Sequence, residues 1–173
     1  NIYYGPNTTG MVEAYRGLQA QAHFFDRSWD RVVSRVRGPA YGNSEGKGVG
    51  GTRHDRTLPA PALPVLPGLE FKPVYTGSYA KLVERAQHML LENDILQHRL
   101  HENIAKAERN RYNLEVFTSL AEFTRHYDLL VLGMKGAEEK LKAAREATLK
   151  KNPQEALEQL VAAHGQIRDL VRA

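Results

Sequence analysis

The sequence predicts an all-α protein, a bundle of about four long helices with one long irregular insert. Apolar residues recur at spacings of three and four along most of the chain, and no alternating strand pattern of useful length occurs. Glycine and proline are concentrated between residues 38 and 77, where they interrupt the helical pattern. With 173 residues and 42% hydrophobic composition, the chain can form one domain, which we expect to belong to a longer multidomain chain.

The first predicted element is a helix preceded by a short lead, over residues 1–37. The lead, Tyr3-Tyr4-Gly5-Pro6, is typical of a turn, and residues 7–10 offer side chains that can cap a helix. We expect Gly38-Pro39 to end this helix. Its apolar stripe consists of Met11, Tyr15, Leu18, Ala22, Phe25, Trp29, Val32, Val33 and Val36.

Residues 38–77 are predicted to form an irregular insert. Glycine dominates its first half and proline its second half, a composition that disfavours regular secondary structure. A loop of this length is unusual inside a compact domain, so we expect it to lie over the surface of the module or of a neighbouring domain. We also expect its proline-rich half to be held against an apolar surface by Leu63, Val65, Leu66, Leu69 and Phe71.

Residues 78–173 are predicted to be almost wholly helical. Asn93-Asp94 offers a point at which a helix can restart. Because no proline interrupts residues 74–152, one very long helix is the alternative, bent near Gly133 or Gly136.

The end of the chain carries charge pairs and a strong helix start. Glu138 with Lys142, and Glu146 with Lys150, have the i,i+4 spacing of ion pairs, and we expect them on an exposed face. Asn152-Pro153 predicts the start of a last helix, with Asn as the cap and Pro at the first helical position.

Composition excludes several kinds of site and partner. The chain has no cysteine, which excludes disulfides, thiolate nucleophiles and cysteine-based zinc sites. No apolar stretch is long enough to span a membrane. The net charge of +4 is mild and acidic residues are interspersed through every predicted helix, so we expect neither a nucleic-acid partner nor a membrane partner. A helical nucleic-acid-binding protein is a weaker alternative.

Two glycine motifs match strings found in catalytic and phosphate-binding loops. Residues 42–46 match G-x-S-x-G, and residues 46–51 match G-x-G-x-x-G. Both motifs function within a strand–turn–helix frame, and no strand pattern precedes either of them. We interpret both as glycine-rich loop, and we predict no catalytic residue and no cofactor site within the chain.

Three histidines have a spacing that deserves comparison with metal sites. His98 and His101 lie three residues apart, with Glu102 beside them and His88 closer to the N-terminus. Histidines on one helical face can bind a metal when further ligands complete the set. Surface histidines are the favoured interpretation, and we predict no metal site.

A run of polar and aromatic residues follows the centre of the helical region. These side chains can form a hydrogen-bond network between helices, face a neighbouring domain, or contact a ligand such as RNA or a sugar, and the structural network is favoured. The residues are Arg109, Arg111, Tyr112, Asn113, Arg125, His126 and Tyr127.

Two segments resemble parts of known proteins: the lead Tyr3-Tyr4-Gly5-Pro6, and residues 110–117, which read Asn-Arg-Tyr-Asn-Leu-Glu-Val-Phe, with Arg125-His126 further along. Together they resemble the helical region that follows the (β/α)₈ barrel in certain bacterial glycoside hydrolases. These are family 20-type β-N-acetylhexosaminidases and related α-glucuronidase-like enzymes. The resemblance implies a parent enzyme of bacterial glycan breakdown that hydrolyses terminal sugars, chiefly amino sugars, in the periplasm or outside the cell.

The resemblance implies a non-catalytic role for this chain. In family 20 enzymes an Asp-Glu pair drives substrate-assisted cleavage, and no adjacent Asp-Glu pair occurs here. We therefore expect an accessory domain that braces the upstream catalytic domain of the same chain or forms a homo-oligomer contact. The candidate interface residues are Tyr3, Tyr4, Arg111, Tyr112 and His126.

A free-standing helical module for protein–protein interaction is the alternative. Residues 142–171 are rich in alanine and have an Asn-Pro turn, which is the pattern of a helix–turn–helix repeat unit.

Overall fold

The computed structural model describes residues 2–28, 58 and 60–172, and these residues form an all-α bundle. The predicted fold class is confirmed. The helices are α1 (Met11–Ser28), α2 (Ala80–Lys106), α3 (Arg111–Leu149) and α4 (Pro153–Arg172), with a π-helical turn (Val74–Ser78) just before α2. The predicted continuation of the first helix from Trp29 to its end at Gly38-Pro39 lies outside the described residues.

The N-terminal lead is fixed to the junction between α2 and α3. The backbone N–H of Glu108 donates to the carbonyl oxygen of Tyr4 at 3.0 Å, and Asn110 Nδ2 donates to the carbonyl oxygen of Tyr3 at 2.7 Å. Asn113 Nδ2 donates to the hydroxyl of Tyr3 at 2.9 Å. The lead is therefore held by the helices of its own domain.

Helix α2 runs without interruption through Asn93, so the predicted restart at Asn93-Asp94 is wrong. The buried Asn93 side chain donates to the carbonyl oxygen of Ala121 at 2.8 Å and to Thr124 Oγ1 at 3.3 Å, both on α3. Its amide is thus used in tertiary packing instead of in a cap. The chain turns later, at Asn110, whose φ of 53° lies in the left-handed region that asparagine tolerates.

One very long helix across residues 74–152, the alternative, is wrong, because α2 ends at Lys106 and α3 begins at Arg111. Helix α3 is itself one continuous element of 39 residues. At about 1.5 Å of rise per residue it is about 60 Å long. Gly133 and Gly136 lie where α4 crosses it: a Cβ atom at Gly133 would come within 2.5 Å of the Leu170 side chain. Gln166 Nε2 also donates to the carbonyl oxygen of Gly133 at 2.9 Å. The glycines therefore permit close packing of the two helices.

Helix α4 begins as predicted at Asn152-Pro153. Asn152 Oδ1 accepts a hydrogen bond from the backbone N–H of Glu155 at 3.3 Å, and Asn152 Nδ2 donates to Glu155 Oε2 at 2.9 Å. Among the described elements, α4 contacts α3 and no other helix. Helix α4 therefore forms an antiparallel pair with the second half of α3.

The buried apolar residues form two clusters along α3. The first lies where α1, α2 and the start of α3 meet and contains Tyr4, Met11, Ala14, Leu96, Leu100, Leu114 and Ala121. The second lies further along α3, near the π-helical turn, and contains Tyr75, Val83, Ala86, Tyr127 and Val131.

The irregular segment before α2 is anchored by Glu138, which corrects the prediction that Glu138 forms an exposed ion pair. Its side chain is 0% exposed. Glu138 Oε2 accepts hydrogen bonds from the backbone N–H groups of Ala62 (3.2 Å), Val74 (2.8 Å) and Tyr75 (3.1 Å). Glu138 Oε1 accepts from the backbone N–H and the hydroxyl of Thr76, at 2.9 and 3.1 Å.

The apolar anchoring expected for the proline-rich half is in large part absent from the described segment. Leu63, Val65 and Leu66 are exposed, while Leu69 and Phe71 are partly buried. Other apolar residues, Leu58 and Val74, pack against the second cluster. Polar contacts also hold the segment, since Arg145 Nε on α3 donates to the carbonyl oxygen of Leu69.

Two opposing effects set the pKa of Glu138. Burial raises it, but hydrogen bonds from the backbone amides of Thr76, Val74, Ala62 and Tyr75 together outweigh burial, and the pKa lies below its usual range. The ionised form is therefore favoured by folding. The stabilisation is present at neutral pH and is lost as the pH falls through the pKa of the folded state.

Replacing Glu138 with Gln should destabilise the protein, because an amide directs N–H donors at backbone groups that themselves donate. We expect the free energy of unfolding, measured by urea denaturation, to fall by about 3 kcal/mol or more. Glu139→Gln is the matched control: Glu139 is an exposed neighbour that pairs with Lys135 at 2.9 Å. That control should change stability by less than about 1 kcal/mol. Equal effects of the two substitutions would contradict the anchoring role.

Gly133→Ala and Gly165→Ala should change stability in opposite directions. The new methyl group at Gly133 overlaps the Leu170 side chain, whereas nothing lies within 4 Å of a Cβ atom at Gly165. We expect Gly133→Ala to cost about 1 kcal/mol or more, and Gly165→Ala to stabilise by about 0.5–1 kcal/mol through helix propensity. The midpoints of thermal unfolding of the two variants measure these changes in stability. Stabilisation by Gly133→Ala would show that α4 does not pack closely against α3 at Gly133.

Candidate functional site

An apolar groove with a volume of about 1040 Å³ lies between α1 and α3. We call it the α1–α3 groove. It is lined by Tyr15, Leu18, Gln19, Gln21, Ala22, Phe25, Phe117, Leu120, Phe123, Thr124, His126, Tyr127 and Leu130.

Aromatic contacts across the base of the groove fix how the two helices align. Tyr15 contacts Phe117 edge-to-face, with ring centroids 5.5 Å apart. Further along both helices, Phe25 contacts Phe123 at 5.2 Å and Tyr127 at 5.4 Å in the same manner. Because residue numbers increase together on both sides, α1 and α3 run parallel to each other.

The groove exposes large apolar side chains that soluble domains normally bury. Phe123 is 57% exposed and Leu120 is 51% exposed. Val116 and Tyr112, four and eight residues before Leu120, are also exposed and extend the same helical stripe. Contiguous exposed apolar surfaces are typical of interaction sites, which makes this groove the candidate site.

Gln21 is the most buried of the polar residues that line the groove, which also include Gln19, Thr124 and His126. Gln21 is 2% exposed, and its Nε2 donates to the carbonyl oxygen of Met89 on α2 at 2.8 Å. That contact fixes the orientation of the amide, because a carbonyl oxygen accepts only from Nε2. Gln21 Oε1 is buried and has no hydrogen-bond partner among the described residues. This oxygen is thus a buried acceptor beneath the groove.

The five predicted interface residues lie in different environments. His126 is exposed and lines the α1–α3 groove, and Tyr112 is exposed at the end of the stripe that leads into it. Arg111 is exposed and pairs with Glu115 at 3.0 Å, and Tyr3 is exposed beside α3.

Tyr4 lies in the core of this domain, in contrast to the other four candidates. Its side chain is buried in the first cluster, and its hydroxyl lies 2.7 Å from the hydroxyl of Tyr15. Tyr4 therefore supports α1 and presents no surface to another domain.

The histidines considered for metal binding form pairs with glutamates on α2. His98 Nε2 lies 3.4 Å from Glu102 Oε1, and His88 Nε2 lies 3.8 Å from Glu92 Oε1, all exposed. Within residues 2–28, 58 and 60–172, no group of three or more His, Asp or Glu side chains has a metal-binding arrangement. The glycine motifs of residues 42–51 lie outside the described residues.

Asp128 is a buried carboxyl group that the sequence analysis did not single out. It is fully buried on α3, and neither of its oxygens has a hydrogen-bond partner in the described part of the chain. Burial raises the pKa of Asp128 to about 7, against a lowering by the charge of Arg125. Asp128 does not line the groove, so we interpret it as a titratable group of the core.

Apolar periodicity predicted helices for the groove residues but did not separate buried positions from exposed ones. Leu120 and Phe123 continue the apolar stripe of α3, and nothing in their spacing distinguishes them from buried neighbours. One signal was available: the apolar positions of α3 cover more of the helix circumference than a partner on one side can bury.

Comparisons with protein-family models, with curated proteins and with solved structures found no match to this chain. The resemblance to glycoside hydrolases therefore stays a prediction from the sequence. None of the helices in the described ranges combines the length and apolar character that a membrane span requires.

Asp128→Asn should flatten the pH dependence of stability. The folded-state pKa of about 7 lies above the ordinary value for aspartate, near 4, so ionisation favours the unfolded chain. Stability should therefore fall as the pH rises from about 4 to about 7 and then become constant. Midpoints of thermal unfolding across this range measure the slope. The control Asp169→Asn, at an exposed position on α4, should leave the slope of the midpoint against pH unchanged. If Asp128→Asn also left this slope unchanged, the raised pKa of Asp128 would be contradicted.

Proposed function

We propose that this chain is a non-catalytic helical module that binds another protein domain through the α1–α3 groove. The observation that carries the proposal is the exposed apolar lining of the groove, with Phe123 and Leu120 more than half exposed at 57% and 51%. Following the resemblance of the lead and of residues 110–117, we propose that the partner is the catalytic barrel of a bacterial glycoside hydrolase that acts on terminal amino sugars.

The shape and composition of the groove support a protein partner. Aromatic residues contribute much of its lining, and aromatic side chains are enriched at the centres of protein interfaces. Charged residues such as Arg16 and Glu122 are exposed on the helices next to it, which matches the polar rim of such interfaces.

Two of the predicted interface residues support the same surface. Tyr112 lies at one end of the exposed stripe of α3, and His126 lies in the lining nearer its other end. A domain seated in the groove would contact both of them. This module would then brace the catalytic domain or one rim of its cleft.

A free-standing interaction module is the second candidate, and the apolar residues of α4 favour it. Leu157, Leu160 and Val161 are exposed on α4, on an element that contacts only α3 within the described chain. A second apolar surface would suit a module that joins separate proteins or copies of itself.

The first test is the reading frame of the source gene upstream of Asn1, followed by mutation of the full-length protein. We expect an upstream barrel of about 250 residues with alternating strands and helices. In the full-length enzyme, Phe123→Glu places a charge in the interface and should therefore lower the midpoint of thermal inactivation. The remaining activity is measured as hydrolysis of an aryl N-acetyl-β-glucosaminide.

Leu91→Glu is the matched control, since Leu91 is exposed on α2 and does not line the groove. It should leave the inactivation midpoint unchanged. A reading frame without a barrel would reject the glycosidase partner and favour the free-standing module. Equal effects of the two substitutions would reject the groove as the interface.

A further inference from the structure

We propose that the second half of α1, residues 18–28, is a flap that packs against α3 while Asp128 is neutral and separates from it when Asp128 becomes ionised. We call these residues the α1 flap. Three observations support the proposal: the burial of Asp128 among apolar residues, the firm connection of α2 to α3, and the looser attachment of α1 to both. The flap makes the domain respond to pH whether or not a partner is bound.

Asp128 is buried at a place where an ionised carboxylate is unfavourable. Its side chain is 0% exposed, and neither oxygen has a hydrogen-bond partner among the described residues. Tyr127 and Val131, on either side of it along α3, belong to the second core cluster. A buried charge without donors is costly, so the carboxyl group either holds a proton or gains contact with water.

Arg125 is the charged group that acts on Asp128. Burial raises the pKa of Asp128, and the positive charge of Arg125, three residues earlier on α3, lowers it by less. The guanidinium of Arg125 is paired with the exposed carboxylate of Asp94 on α2. Arg125 therefore weakens the effect of burial but does not cancel it.

The other titratable groups described on the surrounding elements lie at the surface or carry no charge. Tyr75 and Tyr79, at the π-helical turn, are phenols and are uncharged near neutral pH. The described core around Asp128 therefore supplies no further counter-ion. The exposed titratable groups at this level of α1 and α2 are His23, Glu84, Arg85, His88 and Glu92.

Helices α2 and α3 are connected by polar contacts one turn away from Asp128. Asn93 Nδ2 on α2 donates to the carbonyl oxygen of Ala121 at 2.8 Å and to Thr124 Oγ1 at 3.3 Å. These hydrogen bonds are buried and do not involve Asp128. We therefore expect α2 and α3 to stay together when Asp128 ionises.

Helix α1 is attached less firmly than α2. Among the described residues, α1 packs less extensively against α2 and α3 than those two helices pack against each other. In the flap, Gln21 Nε2 donates to the carbonyl oxygen of Met89 at 2.8 Å. The ring of Phe25 contacts Tyr127, with centroids 5.4 Å apart. Because Tyr127 directly precedes Asp128, separation of these rings would give water a path to the buried carboxyl group.

The direction of the response follows from proton binding. Asp128 has a pKa of about 7 in the packed state, against an ordinary pKa of about 4 in water. Between these two values the packed state holds a proton that the open state releases. The opening equilibrium should therefore rise about tenfold per pH unit, by about a thousandfold in all, and stay constant above about pH 7. The flap is packed most firmly in acid, and so is the wall of the α1–α3 groove that it forms.

Amide hydrogen exchange of the 173-residue chain measures the opening of the flap, with protection factors corrected for the intrinsic effect of pH on exchange. Between about pH 5 and about pH 7.5, protection of residues 18–28 should fall by at least about tenfold. Protection of residues 137–147, in the antiparallel pair of α3 with α4, should change by less than about twofold, because no contact there depends on Asp128.

Asp128→Asn retains the size of the neutral side chain and cannot ionise, so protection of residues 18–28 should be the same at both pH values. The matched control Asp169→Asn removes an exposed carboxylate on α4 and should keep the fall seen in the unmodified chain. Should Asp128→Asn fail to fold, Asp128→Leu makes the same comparison, since an apolar side chain suits the surrounding cluster.

Three results would overturn the proposal. The first is protection of residues 18–28 that does not depend on pH in the unmodified chain. The second is a fall that persists when Asp128 is replaced by Asn or Leu. The third is an equal fall in α1, α2 and α3, which would show that the bundle loosens as a whole and that α1 does not move separately.

Discussion

The buried carboxylate of Glu138 is the interaction on which the arrangement of the second half of the domain depends. A buried charge is tolerated when it is fully hydrogen-bonded, and Glu138 receives hydrogen bonds from Ala62, Val74, Tyr75 and Thr76. These bonds fix the backbone that leads into α2. They also hold the π-helical turn against α3, so that Tyr75 can enter the second core cluster.

The two halves of α3 meet different neighbours, and this difference explains where the candidate site lies. Along its second half, α3 packs against α4 through Gly133 and Gly136, and against the segment that Glu138 holds. Along its first half it packs against α1, α2 and the N-terminal lead. Among the described residues, these neighbours leave uncovered the side of α3 that carries Leu120 and Phe123 in the α1–α3 groove.

Local sequence patterns predicted the starts of α1 and α4, because periodicity and capping depend on neighbouring residues, but they did not predict the break between α2 and α3. Asn152 and Pro153 start α4 as expected, and the stripe that begins at Met11 forms α1. The same local rules were wrong at Asn93 and Glu138. Each has a side chain that is favourable at a helix cap or on a helix surface, and each is instead buried by partners far away in the sequence.

The sequence by itself determined the fold class, the helix-rich composition and the exclusion of cysteine chemistry, since these follow from residue type and spacing. Only the tertiary structure decided which apolar residues are buried. Phe123 and Val131 belong to one apolar pattern on α3, yet the first is exposed in the groove and the second is in the core. The exposure of a side chain depends on which helix packs opposite it. A periodic apolar stripe shows that a residue is suited to burial, but it does not show which element buries it.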